Sequence, residues 1–294
     1  MRGRLKIQVA VSILAGWLWV TVPAAAQLTP AAERGFERYV QLTEQRMSAE
    51  VRPGAQFLRI DGLPEAQRQS DLAKLESREV VSEQLTTSAP AAEIATPGAL
   101  IHHWVGTVFI PGASLQQVLA IVQDYDHHQQ YYQPEVERSK LLARSGDDFT
   151  IYYRLRQTDI LTVVLDTEYQ VQYERLDVHR EVSRSYSTRV AEIERPGTAG
   201  ERALSPNDDH GFLWRLNSYW RFEETPRGVF VQCEAISLTR DIPMGLGWMV
   251  APLVEQVPKE SLEFTLGATR KAVLGRVLLA SPSQGAAPNS AGRP

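Results

Sequence analysis

A carboxylate in the middle of an apolar strand is the first residue of this sequence that could do chemistry. Glu234 stands between Cys233 and Ala235 in the run Val231-Gln232-Cys233-Glu234-Ala235. Facing inward, it needs a partner such as Arg184 or Tyr186, or a raised pKa. A structural ion pair is the simpler reading; a general base is the alternative. Cys233 is the sole cysteine of the chain, so no internal disulfide and no cysteine-type zinc spacing can form. It reads as a small buried hydrophobe. The histidines come in neighbouring pairs, His102-His103 and His127-His128. Adjacent residues on a strand point to opposite faces, and metal sites want i, i+4 histidines or converging carboxylates. Neither pair is therefore read as a metal site, and Asp124 and Asp126 read as turn and cap residues. The chain has no G-x-S-x-G elbow, no phosphate loop and no dinucleotide fingerprint. No catalytic residue, metal or cofactor is assigned.

The second kind of chemistry is apolar binding. Alternation puts Phe149, Ile151, Tyr153 and Leu155 on one strand face. Leu161, Val163, Leu165, Tyr169 and Val171 share another, and Phe212, Trp214, Leu216, Trp220 and Phe222 a third. Tyr186 lies on the strand between them. Faces of this composition either pack as a core or line a pocket for an apolar small molecule. Gly245, Trp248 and Met249 belong to an apolar, glycine-containing stretch that reads as a lid or a transient membrane contact; an ordinary packed loop is the plain alternative.

The elements that must position these residues follow from period and punctuation. Residues 29–50 and about 64–76 read as helices, the first capped by Thr29 with Pro30 behind it. A weak strand at 78–85 precedes a strong one at 100–110. Ser114 then caps a helix of about ten residues, and a second short helix ends near Pro134. Strands follow near 135–144, 148–157, 160–175, 178–192, 212–224 and 228–240. The connection from Arg195 to Gly211 reads as a mobile loop. Pro258 opens a long helix to about Leu279, with Leu262, Leu266 and Val273 on its apolar face.

Taken together this is a strand, two short helices, about six antiparallel strands and one long helix. The order resembles the START-like, polyketide cyclase/lipid transport superfamily, also called helix-grip. Val118-Leu119-Ala120-Ile121-Val122-Gln123-Asp124-Tyr125 through Tyr132-Gln133-Pro134-Glu135-Val136 looks like its helix–Asp–Tyr–helix–Pro turn. Leu216-Asn217-Ser218-Tyr219-Trp220-Arg221-Phe222 is similar to its penultimate strand. The resemblance implies an α+β fold, a curved antiparallel sheet wrapped around the C-terminal helix, with an apolar ligand between them. A lipid, quinone or isoprenoid-like molecule would be carried there, in contact with Tyr153, Leu165, Tyr169, Tyr186, Trp214, Trp220, Glu234, Trp248, Leu262 and Leu266. The rival is a cyclase- or hydrolase-type enzyme using Glu234, Tyr186 and Arg184 in the same cavity.

The chain ends bound the setting. Arg2, Arg4 and Lys6 precede an uncharged, mostly apolar run to Val22, which closes on Ala24-Ala25-Ala26. That is the pattern of an export signal cleaved after Ala26 and implies a periplasmic or secreted protein. The expected organisation is a signal peptide at 1–26, a helical N-terminal arm at 27–76, a START-like domain at 77–280 and a disordered tail at 281–294. With 31 basic and 35 acidic residues and a formal charge of -4, the chain offers no basic face for a nucleic acid.

Overall fold

The computed structural model describes residues 27–89, 94–158, 162–206, 208–241 and 247–280, and in the last segment the side chains of 256–277. The expected signal peptide and tail lie outside the described residues, as do Leu161 and Gly245.

Helix α1 (Pro30–Glu50) starts where the Thr29 hydroxyl accepts the Ala32 N–H at 3.1 Å, with Pro30 in the first position. Ala32, Phe36, Tyr39, Thr43 and Met47 form its buried stripe. A 3₁₀ turn (Arg59–Gly62) and α2 (Glu65–Glu76) follow. Next come β1 (Val81–Gln84), β2 (Ala99–Pro111), α3 (Leu115–Val122) and α4 (His128–Tyr131). Ser114 and Gln117 close a reciprocal cap at the start of α3. The rest is β3 (Val136–Ser145), β4 (Asp148–Thr158), β5 (Thr162–Arg175), β6 (Arg180–Glu194), β7 (Arg202–Ala203), β8 (Arg215–Thr225), β9 (Gly228–Arg240) and α5 (Gly247–Ala280).

The ladders are antiparallel, in the order β1-β2-β9-β8-β6-β5-β4-β3, with β7 paired to β6 off this path. One buried cluster joins Val108 and Ile110 of β2, Phe149 and Ile151 of β4, Tyr169 of β5, Phe222 of β8 and Val231 of β9 to Leu262, Leu266 and Val273 of α5. Strands near opposite ends of the order can share one core only if the sheet curls about the helix. This is the α+β helix-grip arrangement expected from the sequence. Gly106 permits a close approach of α5: a Cβ there would lie 2.6 Å from Leu266 Cδ1.

The outer face is covered as well. Trp214, Tyr219, Ile236 and Leu238 pack under Ala32, Phe36, Tyr39 and Met47 of α1. Phe57, Leu58, Ile60 and Leu75 cover Phe109 and Val182.

Two expectations are corrected. Helix α5 begins at Gly247, so Pro258 sits inside it rather than at its start. The missing donor of proline marks a helix start equally well as a tolerated interior break, and only packing decides between them. The 195–211 connection is tied down where it is described. β7 pairs with Ile193–Glu194, Glu201 binds Arg154 at 2.8 Å, and His210 binds Glu192 at 2.6 Å. Its Pro, Gly and Asp content makes turns here rather than a free loop.

Candidate functional site

The inner face can be read off the register. Trp104 on β2 pairs with Ala235 on β9, Ala235 with Ser218 on β8, and Ser218 with Ser185 on β6. Cross-strand partners share a face. On the β9 side the row beside Trp104 is therefore made of small side chains, and on the β1 side its neighbour is Gln84. The next row, Gly106, Cys233, Trp220 and Ser183, lies under Leu262 and Leu266. Burial pushes the Cys233 thiol well above its ordinary range, which leaves it an unreactive apolar group.

Toward α3 and α4 the same interior fills with rings. Tyr125 and Tyr173 share a hydroxyl hydrogen bond of 2.8 Å, and the Tyr132 hydroxyl meets Thr269 Oγ1 at 3.0 Å. His128 Nε2 lies 3.1 Å from the Ile121 carbonyl, and its Nδ1 lies 2.6 Å from the Tyr153 hydroxyl. A carbonyl only accepts, so Nε2 carries the proton, Nδ1 accepts, and Tyr153 donates. Burial lowers the His128 pKa to about 4, so the imidazole is neutral at pH 7. Burial likewise lifts Tyr132 and Tyr169 to about 12, and Tyr153 and Tyr173 higher still. None of these phenols ionises at physiological pH, and most of their polar atoms are used within the cluster. The arrangement is a neutral aromatic wall, without an activated nucleophile.

One polar atom stands out. Among the described residues, Trp104 Nε1 is the buried side-chain nitrogen or oxygen that has no hydrogen-bond partner.

Of the ten residues expected to line the interior, Tyr153, Tyr169, Trp220, Leu262 and Leu266 do so. Leu165 shares the strand parity of Tyr169 and pairs with Leu155. Trp248 lies outside the described side chains. Tyr186, Trp214 and Glu234 are corrected: all three face α1 on the outer side of the sheet. Trp214 precedes the first paired residue of β8, so the alternation that sends Leu216 and Trp220 inward does not extend to it. Glu234 has the opposite parity to Cys233, which is inside.

Glu234 anchors a buried polar chain under α1. Its Oε1 accepts from His103 Nε2 at 2.6 Å and from the Arg46 guanidinium. His103 Nδ1 lies 2.8 Å from the Tyr39 hydroxyl, and the Thr87 N–H donates to that same hydroxyl at 2.8 Å. Burial alone would raise the Glu234 pKa. The His103 bond and the Arg46 charge outweigh it and hold the carboxyl below the ordinary range. Tyr186 and Tyr219 both donate to Glu44 of α1, at 2.7 and 2.8 Å. The proposed trio of Glu234, Tyr186 and Arg184 is therefore not in the interior, and the enzyme reading that used it is withdrawn. Glu234 and Tyr186 instead fasten α1 to the sheet.

Two openings reach the surface. A cavity of ≈ 50 Å³ lies beside Glu234, lined by Arg46, Gln56, Arg59 and Gln232 among others. A groove of ≈ 480 Å³ runs between α3 and β5–β6, floored by Leu119, Ala120 and Tyr173 and rimmed by Gln123, Arg175 and Glu181. His102 is bound to Thr239 at 2.9 Å and His127 to Asp124 at 2.7 Å. Among the described residues no group of three or more His, Cys, Asp or Glu could hold a metal ion. Nor is any described helix long and apolar enough to cross a membrane.

Sequence reasoning missed Trp104, His128, Tyr125, Tyr132 and Tyr173. Tyr173 could have been found by continuing the 169, 171 alternation, and Trp104 by the 104, 106, 108, 110 alternation. The other three sit on short helical turns, where no period reveals a face.

No protein-family model matches the chain, and no curated protein matches it in sequence. Solved structures similar to it include a STAR-related lipid transfer protein fragment from Xanthomonas axonopodis. Identity is 17%, with 66% of this chain and 98% of that chain covered at a TM-score of 0.42. The Zhui aromatase/cyclase from Streptomyces sp. R1128 is 12% identical, with 64% and 100% covered at 0.44. Human STARD10 is 12% identical, with 74% and 84% covered at 0.40. The fold assignment stands on this chain's own strand order and helix placement.

Proposed function

We propose that this protein is an exported binding or carrier protein for a hydrophobic small molecule of lipid, quinone or isoprenoid type, held between the sheet and α5. The carrying observation is the inner face itself. It has a neutral aromatic wall at the α3 end and a row of small residues beside Trp104 at the other. Ligand sites are lined in this way: mostly apolar, with few polar groups. Burying ten methylenes contributes roughly 8 kcal/mol, set against an association cost of about 4–15 kcal/mol. A longer chain therefore binds at micromolar level, and one methylene alters preference by only about 1–3 kcal/mol.

Export rests on the Arg2–Ala26 pattern, with delivery to the periplasm or outside the cell. Residues 27–76 act as an arm fastened to the outer face. Organic extraction of the full chain purified from its own compartment, followed by mass spectrometry, tests the binding reading. The expected result is one class of neutral apolar molecule at near-stoichiometric amount. An empty protein that also fails to take up N-phenyl-1-naphthylamine overturns it. N-terminal sequencing of the exported chain should begin at Gln27; an intact Met1 in the soluble cell fraction overturns the export reading.

A further inference from the structure

We infer that the Trp104 indole N–H is the polar anchor of the ligand. The molecule held here then carries an uncharged acceptor oxygen, such as a ketone, ester or quinone carbonyl, at the end nearest Trp104. This rests on the binding reading and specifies it.

Three observations carry it. First, Trp104 Nε1 is buried and unpartnered, whereas the interior bonds of Tyr125, Tyr132, Tyr153 and His128 are made within the protein. A buried donor without a partner is costly, and native interiors rarely keep one without a use. Second, the neighbours on β9, β8 and β6 are small. The row across the sheet runs Ala235, Ser218 and Ser185, so no large side chain from these strands packs on the indole from that side. Third, the strand positions around it carry no charge. By alternation the inner positions of β2 are Leu100, His102, Trp104, Gly106, Val108 and Ile110. Those of β9 are Val229, Val231, Cys233, Ala235, Ser237 and Thr239, and those of β8 are Leu216, Ser218, Trp220 and Phe222. His102 is the sole titratable base among them. Burial holds its pKa below the usual value and it is bonded to Thr239. The charges that α5 brings to this end, Lys259 and Glu263, are paired with each other at 3.2 Å, and Glu263 also accepts from Ser82 of β1, so an uncharged acceptor suits the indole better than an ionic head.

The placement along the helix is consistent. Leu262 and Leu266 lie over Gly106, Arg270 reaches the Glu79 carbonyl at 3.2 Å, and Arg276 reaches the Ala120 carbonyl at 3.0 Å. Helix α5 thus runs toward α3 as its numbering rises, and Trp104 lies toward its N-terminal half. The ligand's acceptor sits at that end and its apolar body runs under Leu262 and Leu266 toward the tyrosines.

The test uses the full chain loaded with N-phenyl-1-naphthylamine, displaced in turn by 2-tridecanone and by tridecane. Wild type and Trp104→Phe, which keeps an aromatic ring but loses the donor, are compared. The ratio of the two displacement midpoints should favour the ketone in wild type by about ten- to hundredfold more than in Trp104→Phe, the range of one buried hydrogen bond. In ¹⁵N-labelled protein, the Trp104 indole cross-peak, assigned by its loss in Trp104→Phe, should move on adding the ketone and stay for the alkane. Equal ratios in both proteins, or an indole peak that the ketone leaves in place, overturn the anchor while binding itself stands. If neither compound displaces the probe, the binding reading falls and the anchor with it.

Discussion

Removing the Glu234 carboxylate should loosen α1 from the sheet, and the size of the effect follows from who is left unpaired. His103 has a side chain 1% exposed and donates through Nε2 to Glu234. In Glu234→Ala that N–H loses its acceptor inside the protein, at about 1–3 kcal/mol. The truncation also leaves a hole. Arg46 is 38% exposed and keeps Glu50 at 2.9 Å, so its loss adds at most about 1 kcal/mol. The sum is about 2–4 kcal/mol. Glu234→Gln keeps an acceptor for His103 and removes only the charge, for about 0.5–1.5 kcal/mol. The pH dependence separates the two. Because the fold holds the Glu234 carboxyl below its ordinary value, its contribution is complete above the unfolded pKa of about 4.3 and is lost as pH falls through the folded value. Urea unfolding followed by far-UV circular dichroism at pH 7 and pH 3.5 is the assay. Alanine should cost more than glutamine at pH 7, and the gap between wild type and glutamine should narrow at pH 3.5. An alanine variant that unfolds with wild type at pH 7 would refute the buried-chain reasoning, as would a glutamine gap indifferent to pH.

Three further outcomes are expected. Leu266→Ala, at a fully buried position over Gly106, should cost about 2–5 kcal/mol in urea unfolding; a loss below 1 kcal/mol would mean the helix does not grip there. Gly106→Ala places a Cβ 2.6 Å from Leu266 Cδ1 and should cost about 1–3 kcal/mol, read as a lowered midpoint; an unchanged midpoint would contradict the close approach. His128 has a folded pKa of about 4, below the unfolded value of about 6.5. Its contribution is therefore present above about 6.5 and lost as pH falls toward 4, on the order of 3 kcal/mol. His128→Phe should flatten stability against pH in that window, and an unchanged slope would refute the neutral-imidazole assignment.

The element order was legible because each element carries its own period. Thr29-Pro30 and Ser114 mark helix starts by capping chemistry, and the Leu262, Leu266, Val273 spacing marks the gripping face. The site was legible only where alternation runs unbroken. Tyr153, Tyr169 and Trp220 fell inside because their strands keep phase. Trp214 did not, because the chain turns over just before β8 begins pairing. Glu234 was singled out for its surroundings in sequence, but sequence gives parity only relative to a neighbour. The decision between inner and outer face came from α1, whose Arg46 and Tyr39 lie far along the chain. The His128–Tyr153 bond joins a short helical turn to a strand, a contact that no local pattern encodes.

The pairing of β2 with β9 carries a consequence for how the chain is made. β2 is complete at residue 111, yet the partner for most of its length begins at residue 228. Until then a thirteen-residue apolar strand has only the short β1 beside it. Such an exposed edge invites pairing with other chains, and long-range strand pairing forms slowly. Synthesis must therefore hold this segment open until the ninth strand emerges. A newly made chain stalled before that point would be the form that chaperones recognise and that aggregates first.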